Sequence, residues 1–320
     1  MENGLIKKTN NAMPQTKKNS LPKILFKYKE LYILFLPVAI WFIVFHYIPM
    51  MGIVIAFKDY SIMQGIFDSP WAGLKHFERF LNSTAFLQTL KNTVLISLYN
   101  LVFSFPAPIL FSLLLNEVVN DKFKKCIQTV SYLPHFISWS VAGGLFYMIL
   151  SPSTGVINYF IKVLGFDAIN FLGDIRYFRS ILVVSGIWKS IGWGAIIYLA
   201  ALSGVSEEMY EASYIDGAGR FRRIWHITLP SIRSVIIIML ILAVGNILNV
   251  GFEHVFVMIN DTVLEVGETL DYYIYRIGLY NMNNFSFATA IGLFKSCIGF
   301  LLIMFTNVIS KKIDEEGGIW

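Results

Sequence analysis

Charged residues are scarce in this chain, since Asp, Glu, Lys and Arg together make up only 15% of its 320 residues. A soluble domain of this length carries about a quarter charged residues. The sequence is instead 56% hydrophobic, with a mean hydropathy of +0.60. The lack of charge argues against an ordinary soluble domain and indicates a membrane protein.

Cysteine is nearly absent, and the usual signatures of catalysis are missing. Cys126 and Cys297 have neither a metal-site spacing nor a disulfide framework, and no pair among the five histidines has the spacing of metal ligands. The phosphate-binding pattern Gly-x-x-x-x-Gly-Lys-[Ser/Thr] and the nucleophile pattern Gly-x-Ser-x-Gly do not occur. We expect no catalytic residues, no metal site and no cofactor in this chain.

Long apolar runs, by contrast, are abundant. A helix needs about 20 mostly apolar residues to cross a hydrocarbon core of about 30 Å, and runs without alternation favour helices over barrel strands. The first run is too long for the core of a secretory signal peptide. We predict an all-α membrane protein with six transmembrane helices, at Leu31–Phe57, Thr93–Leu115, Thr129–Leu150, Ile181–Ala201, Val235–Ile259 and Phe287–Ile309.

Positive charge is distributed unevenly over the loops between these runs. About twice as many Lys and Arg residues fall on the side of the two termini as on the other side, which predicts that both termini are cytoplasmic. The basic excess is therefore a topology signal, and we expect no nucleic-acid partner. We predict a cytoplasmic tail over residues 1–30, a membrane domain over residues 31–310 and a cytoplasmic tail over residues 311–320.

The loop between the fourth and fifth runs, residues 204–232 and here called the motif loop, contains the stretch EASYIDGAGRFRRIWHITLP. Ser206 is a good N-cap, and the two glutamates after it favour a helix over residues 207–216. Gly217 can adopt the left-handed conformation that closes a helix. A second amphipathic helix is expected to follow, ended by Pro230 because proline cannot donate the next backbone hydrogen bond.

The second helix would carry Phe221, Ile224, Trp225 and Thr228 on one face and Arg220, Arg222 and Arg223 towards the other side. Two interpretations of the motif loop are open. It is either a hairpin on the membrane surface, with its aromatic side chains among the lipid headgroups, or a rigid knob that inserts into a soluble partner and passes motion to the fifth helix.

The motif loop resembles the signature of permease subunits in binding-protein-dependent ABC importers, which reads Glu-Ala-Ala, three residues, Gly, nine residues, Ile-x-Leu-Pro. The match comprises Glu211, Ala212, Gly217, Ile227, Leu229 and Pro230, with Ser213 in place of the second alanine. Asp216 and Ala218 flank the glycine as in sugar-importer members. Tyr-Ile-Pro-Met and Ala-Phe-Lys-Asp-Tyr near the first run are similar to the polysaccharide and multiple-sugar subgroup. The chain thus resembles a type I, maltose-transporter-like carbohydrate permease.

The resemblance implies that the motif loop is a coupling loop held in a groove of an ATP-hydrolysing subunit. It also implies a second permease that forms a heterodimer with this chain, two ATP-binding subunits that carry the ATP and Mg, and an extracytoplasmic solute-binding protein. The location would be a plasma membrane, and the lysine-rich tail favours a Gram-positive-type bacterium. The expected coupling residues are Glu211, Ala212, Ser213, Asp216, Gly217, Ala218, Arg220, Ile227, Leu229 and Pro230.

Two lysines fall inside predicted spans, where ionisable residues are candidates for a substrate path. Lys189 and Lys295 lie at similar depth, about 12 Å from the outer ends of their spans at 1.5 Å per residue. A continuous fifth helix would also carry a polar stripe on one face. The predicted pathway residues are Lys189, Trp193, Asn246, Asn249, Glu253 and Lys295, with Trp139, Tyr147 and Trp188 as weaker candidates for stacking on sugar rings.

Glu253 is the only acid that the sequence places near these spans, so we expect the outer half of the path to be net positive. An ammonium group can bind a carboxylate directly, and we therefore interpret the cargo as an acidic, uronate-containing oligosaccharide. A span lysine can also snorkel, and amide stripes can serve helix packing alone. The alternatives are the same importer class with neutral oligosaccharides or other solutes, a secondary transporter, and a membrane receptor or scaffold without an ATPase partner.

Overall fold

The computed structural model describes residues 28–280 and 284–313, so the predicted tails lie almost entirely outside the described residues. Within these ranges there is no β-strand, and Lys58 and Trp71 form one isolated antiparallel bridge. The α-helices are Lys29–Phe42, Ile48–Met50, Gly65–Asp68, Lys75–Leu81, Thr84–Tyr99, Pro106–Asn116, Asp121–Phe136, Trp139–Leu150, Val156–Val163, Ile175–Leu202, Glu207–Ile215, Arg220–Arg223, Leu229–Ser231, Arg233–Gly245, Phe252–Met258, Leu264–Gly267, Leu270–Tyr275 and Phe285–Ile313. The π-helical turns are Ile43–Tyr47, Asn100–Ser104, Ile224–Thr228 and Arg276–Tyr280, and the 3-10 helices are Met51–Phe57 and Asp261–Val263.

The chain divides into two units, Met1–Ile53 and Val54–Trp320. In the described part of the first unit, the helices from Lys29 to Met50 have no buried side chain. Their residues are apolar all round the helix, which is the pattern of a segment surrounded by lipid. The second unit contains the remaining helices and the motif loop.

Four helical stretches are long and apolar enough to cross a membrane, and two bent helix pairs raise the number to six within the described residues. The four are Lys29–Phe57, Thr84–Asn116, Ile175–Leu202 and Phe285–Val308, which confirms the predicted first, second, fourth and sixth spans as long helices. The bent pairs are Asp121–Phe136 with Trp139–Leu150, at 105°, and Arg220–Ser231 with Arg233–Gly245, at 67°.

The predicted third span is wrong as a single helix. Ile137 has an extended backbone that ends the helix Asp121–Phe136. The side chain of Ser138 then accepts a hydrogen bond from the Val141 amide at 3.3 Å and caps a new helix. Serine is a preferred N-cap because its side-chain oxygen satisfies a free amide of the first turn.

The predicted fifth span is also wrong as a single helix, because the chain leaves the helix at Gly245 and forms the next one only at Phe252. Gly251, the residue before the second helix, has a φ of 91°, a conformation that glycine adopts without steric penalty. The polar stripe predicted for a continuous helix therefore does not exist. Asn246 and Asn249 lie in the break, and Glu253 lies in the helix after it.

In three places one residue separates a π-helical turn from a following proline. Proline removes a backbone donor, and its ring clashes with the carbonyl four residues earlier in an α-helix. The wider turn relieves this conflict, because the residue before each proline donates its N–H five residues back, as Leu229 does to Ile224. The same arrangement precedes Pro49 and Pro106. The sequence predicted that Pro230 ends the second motif-loop helix. This is wrong, because the helix continues to Ser231.

The buried core of the second unit lies along the helix Ile175–Leu202. At one end, Phe178 and Leu182 pack against Val255 and Met258 of the short helix beyond the break. At the other end, Tyr198 and Leu202 pack against residues of the second span and Ile232 of the motif loop. The long helix thus connects the break in the fifth segment with the motif loop through packed side chains.

A segment of short helices between Asp261 and Tyr280 joins the fifth segment to the last helix. The sequence did not predict it, because its helices are too short to show a clear period. Its residues Leu270 and Tyr273 pack with Phe80, Phe287 and Ile291. This segment brings further polar groups close to the last helix.

Candidate functional site

The first half of the motif loop has the predicted conformation. A helix spans Glu207–Ile215, and Gly217 follows with a φ of 72°. The Ala218 amide donates to the Ser213 carbonyl at 2.9 Å and the Gly217 amide to the Tyr214 carbonyl at 3.1 Å, so the turn uses carbonyls that the helix end leaves free. Ser206 occupies the N-cap position, but its side chain makes no capping hydrogen bond.

Most of the predicted coupling residues in this half are exposed, namely Glu211, Ala212, Asp216 and Gly217, with Ala218 half-buried. Ser213 is buried, and its hydroxyl donates to the Tyr210 carbonyl at 2.6 Å. A serine is therefore accommodated in place of the alanine of the signature, because its hydroxyl is satisfied within the helix. Among the described residues Glu211 and Asp216 form no ion pair, so this exposed side is available for a contact.

The second half of the motif loop differs from the predicted amphipathic helix. Phe221 and Trp225 are 82% and 67% exposed. Thr228, which was expected on the same face, is buried and lies 3.1 Å from the Tyr210 hydroxyl. The reason is packing against the helix Glu207–Ile215, since Thr228 lies beside Tyr210 and Arg223 lies beside Tyr214. Of the remaining predicted coupling residues, Arg220 and Pro230 are exposed, and Ile227 and Leu229 are half-buried.

Arg223 is buried, although the sequence placed it on the same side as Arg220 and Arg222. Its guanidinium lies 3.8 Å from the Tyr214 ring centroid, and its Nη2 atom lies 4.0 Å from Glu117 Oε2. The Arg220 Nε atom is 3.8 Å from the same carboxylate oxygen. The motif loop is thus connected to the end of the second span through Glu117, a residue that sequence reasoning missed because it lies about a hundred positions away.

Lys189 lies at the bend of the third segment. Its ammonium donates to the carbonyls of Pro134 at 3.2 Å, of His135 at 2.9 Å and of Ile137. A helix end leaves its last carbonyls without hydrogen-bond donors from the helix itself. The Lys189 ammonium donates to these carbonyls instead. Within the described residues no carboxylate lies within 4.0 Å of this ammonium, which sits 5.4 Å from the Trp139 ring centroid.

Lys295 has an acidic partner, which corrects the expectation that Glu253 is the only acid near the spans. Its ammonium donates to Asp271 Oδ1 at 2.5 Å and to Asn249 Oδ1 at 2.6 Å. Asp271 belongs to the short-helix segment that the sequence did not predict. One of the two positive charges assigned to the path is therefore paired, while Glu253 forms no ion pair among the described residues.

A cavity of about 280 Å³ lies where the second span faces the break in the fifth segment. Its polar lining consists of Ser97, Asn100, Ser104, Asn246 and Asn249. The Ser97 hydroxyl donates to the Ile247 carbonyl, so the second span satisfies a backbone group that the break exposes. Discontinuous helices with free backbone and amide groups are typical of substrate sites in membrane transporters. The structure brings Asn246 and Asn249 to this cavity.

The aromatic residues among the predicted pathway residues already have partners. Trp139 stacks on His254 with 3.7 Å between ring centroids, and Trp193 stacks on His135 at 4.4 Å. The Tyr147 hydroxyl donates to the Met258 carbonyl at 3.3 Å. Trp188 contacts Phe146 edge-on at 5.5 Å and is 37% exposed. These four aromatics do not converge on the cavity, whose lining contains none of them.

Two charged clusters lie outside the membrane-spanning segments. The hydrogen bond from the Lys75 ammonium to Asp59, at 2.8 Å, holds the pKa of this carboxyl below its usual value. Burial raises the pKa of Glu268, against the opposing effect of the Arg276 guanidinium 2.7 Å away. Over the described ranges, no group of three or more His, Cys, Asp or Glu side chains is arranged to hold a metal ion.

The chain is similar to known proteins over most of its length. Protein LplB of Bacillus subtilis (strain 168) is 47% identical over 289 residues, which cover 90% of this chain and 91% of the relative. The polygalacturonan/rhamnogalacturonan transport system permease protein YteP of the same strain is 47% identical over 293 residues, covering 92% and 91%.

A chain in the crystal structure of a bacterial ABC transporter involved in the import of the acidic polysaccharide alginate has 39% sequence identity and a TM-score of 0.86. The match covers 92% of this chain and 99% of that one. Residues 104–315 also match a family described as binding-protein-dependent transport system inner membrane component. This protein belongs to the family of binding-protein-dependent transport system inner membrane components.

Proposed function

We propose that this chain is the transmembrane permease subunit of an ATP-driven importer that passes an acidic, uronate-containing oligosaccharide into the cytoplasm. The observation that carries the proposal is the match to the alginate importer chain, at a TM-score of 0.86 and 39% identity. A second relative is a polygalacturonan/rhamnogalacturonan permease. Alginate, polygalacturonan and rhamnogalacturonan all contain uronate residues, and both relatives match more than nine-tenths of this chain.

The motif loop is the link to an ATPase subunit in this proposal. Its tip presents Ile215, Phe221 and Trp225, which are 87%, 82% and 67% exposed. Exposed apolar side chains held on a rigid turn are what a protein interface requires. The buried Arg223 and the half-buried Leu229 keep the tip fixed to the membrane helices, so a displacement of the tip moves those helices as well.

The remaining subunits follow from the same proposal. A second permease completes the substrate path, and two ATPase subunits bind the ATP and Mg that this chain is not expected to bind. An extracytoplasmic binding protein delivers the sugar, supported by the alginate transporter structure that contains a pentasaccharide-bound periplasmic protein. Both termini lie in the cytoplasm, and Bacillus subtilis relatives support the plasma membrane of a Gram-positive-type bacterium.

The test is ATP hydrolysis by the complete complex in lipid vesicles, stimulated by its binding protein. The probes are a galacturonate tetrasaccharide and the same tetrasaccharide with its carboxylates reduced to hydroxymethyl groups. We expect the acidic form to half-saturate the stimulation at a lower concentration than the carboxyl-reduced form. Equal stimulation by both sugars would support an oligosaccharide importer without a preference for acidic cargo. Stimulation by neither sugar would contradict an oligosaccharide cargo.

Coupling through the motif loop is tested in the same assay with Ile215→Asp. A charge at the exposed tip opposes docking in an apolar groove, so we expect stimulated hydrolysis to be lost while the complex keeps its thermal stability. Tyr159→Asp is the control, because Tyr159 is 64% exposed and lies outside the motif loop. Equal hydrolysis by the two variants would argue against a coupling role for this tip.

A neutral oligosaccharide is the second candidate cargo. The observation that favours it is the Lys295–Asp271 ion pair, which cancels one of the two positive charges that motivated an acidic cargo. The carboxyl-reduced tetrasaccharide decides between the two candidates, since it differs from the acidic probe only in charge.

A further inference from the structure

The ion pair of Lys295 and Asp271 borders the cavity at the break in the fifth segment. The two side chains are only 13% and 21% exposed. Asn249 lines the cavity and also accepts a hydrogen bond from the Lys295 ammonium, whereas Asp271 is not part of the lining. The ammonium is therefore connected to the cavity lining through the amide of Asn249 and also contacts its counter-ion Asp271.

An ammonium with so little exposure needs an anion beside it, because a buried charge without compensation is strongly destabilising. Asp271 supplies that anion in the absence of cargo. A carboxylate on a sugar ring has the same charge and the same acceptor atoms, so it can take the place of Asp271 on Lys295. The displaced Asp271 carboxylate is 21% exposed and can be hydrated. A hydroxyl of a neutral sugar cannot do so, since it brings no charge.

The size of the cavity fits such an exchange. Its volume of about 280 Å³ lies just below the range of ligand pockets, which is about 300 to 1,000 Å³. One ring of a longer sugar chain fills a space of this size. The amides of Asn246 and Asn249 and the hydroxyls of Ser97 and Ser104 offer hydrogen bonds to the ring hydroxyls, which leaves a carboxylate free to approach Lys295.

We propose that Asp271 is a resident counter-ion that a carboxylate of the cargo replaces on Lys295. This exchange makes the permease select acidic over neutral oligosaccharides, and the inference rests on the oligosaccharide import proposed above. Asp271 sets how strongly an acidic sugar must compete, Lys295 supplies the recognised charge, and Asn249 holds the ammonium towards the cavity during the exchange.

The test compares variants of the complete complex in lipid vesicles. For each variant, the half-saturating concentrations of the galacturonate tetrasaccharide and of its carboxyl-reduced form are measured in the ATP-hydrolysis assay. The selectivity is the half-saturating concentration of the carboxyl-reduced form divided by that of the acidic form. Each variant is compared with the unaltered complex, so that the preference of the binding protein cancels. Loss of one charge-assisted hydrogen bond corresponds to about tenfold, or about 1.4 kcal/mol.

Lys295→Met is expected to lower the selectivity about tenfold by weakening the response to the acidic sugar alone. Asp271→Asn is expected to raise it by a similar factor, because the competing carboxylate is gone. The opposite directions separate this mechanism from a purely structural ion pair, whose loss would weaken the response to both sugars alike. The double variant Asp271→Asn/Lys295→Met is expected to match Lys295→Met in selectivity, and it avoids an unpaired charge should either single variant fail to fold.

Glu268→Gln is the matched control, since it breaks the neighbouring ion pair to Arg276, which does not line the cavity. Its selectivity is expected to equal that of the unaltered complex. Unchanged selectivity in both Lys295→Met and the double variant would overturn the counter-ion exchange and leave the import function intact. An unaltered complex that responds to neither sugar would overturn both.

Discussion

Replacing Lys189 by methionine tests what an intramembrane charge does in this protein. The ammonium donates to three backbone carbonyls where the third segment bends. Each hydrogen bond from a charged donor contributes about 1.5–3 kcal/mol, but removing the lysine also removes the desolvation cost of an ammonium, which is several kcal/mol. We expect a net loss of about 3 kcal/mol in the free energy of unfolding.

The assay is thermal unfolding of the purified complex, followed at the bend of the third segment by a fluorescent label. At about 2 °C per kcal/mol for a chain of this size, the expected fall in Tm is about 6 °C. Lys162→Met is the control, because Lys162 is exposed and donates to only one carbonyl, that of Pro152. Its Tm is expected to change by less than about 1 °C.

The competing prediction places Lys189 in the substrate path as a ligand for the sugar carboxylate. A Lys189→Met complex with an unchanged Tm and a lost response to acidic sugar would refute the capping argument and support the path. A lower Tm with unchanged selectivity between the two tetrasaccharides would show that Lys189 stabilises the bend and does not bind the sugar. Lys189→Arg keeps the charge and several donors, and it is expected to recover most of the Tm.

Three further predictions concern glycines and pH. Gly217→Ala places a Cβ in open space but at a φ of 72°, so we expect a loss of about 1–2 kcal/mol from backbone strain alone, measured by chemical unfolding. Gly192→Ala brings a Cβ against the Ser131 backbone carbonyl, and the resulting shift between two helices is expected to cost about 1–3 kcal/mol and to reduce the yield of folded protein. The hydrogen bond from Lys75 lowers the pKa of the Asp59 carboxyl below its usual value of 3.8. The stabilising effect of this carboxylate is therefore present above pH 3.8 and is lost as the pH falls through the lowered pKa. An Asp59→Asn variant is expected to show a Tm that depends less on pH in the acidic range.

The long helices and the first half of the motif loop could be predicted because their causes are local. Helix Glu207–Ile215 follows from two glutamates in its first turn, and the turn after it follows from a glycine that tolerates positive φ. The four continuous spans follow from hydropathy alone. Each of these rules acts within a window of about 20 residues that can be read directly from the sequence.

The breaks in the third and fifth segments could not be predicted, because they depend on partners far away in sequence. Lys189 supports the bend from 52 to 55 residues away, and Ser97 supports the other break from 150 residues away. Both breaks lie within long runs that are apolar on average, so hydropathy alone does not reveal them. The Asp271 partner of Lys295 was missed for a similar reason, as it lies in a helix of six residues.

The wide turns before Pro49, Pro106 and Pro230 have a consequence for the register of these helices. A π turn contains one residue more than the α turn it replaces, so everything downstream is rotated by about 100° relative to an uninterrupted helix. Deleting one residue within Ile224–Thr228 and replacing Pro230 by alanine would restore an α-helix of ordinary register. A sequence alignment with a proline-free relative therefore needs a gap of one residue at the π turn. Without this gap, lipid-facing residues of one helix would be matched with protein-facing residues of the other.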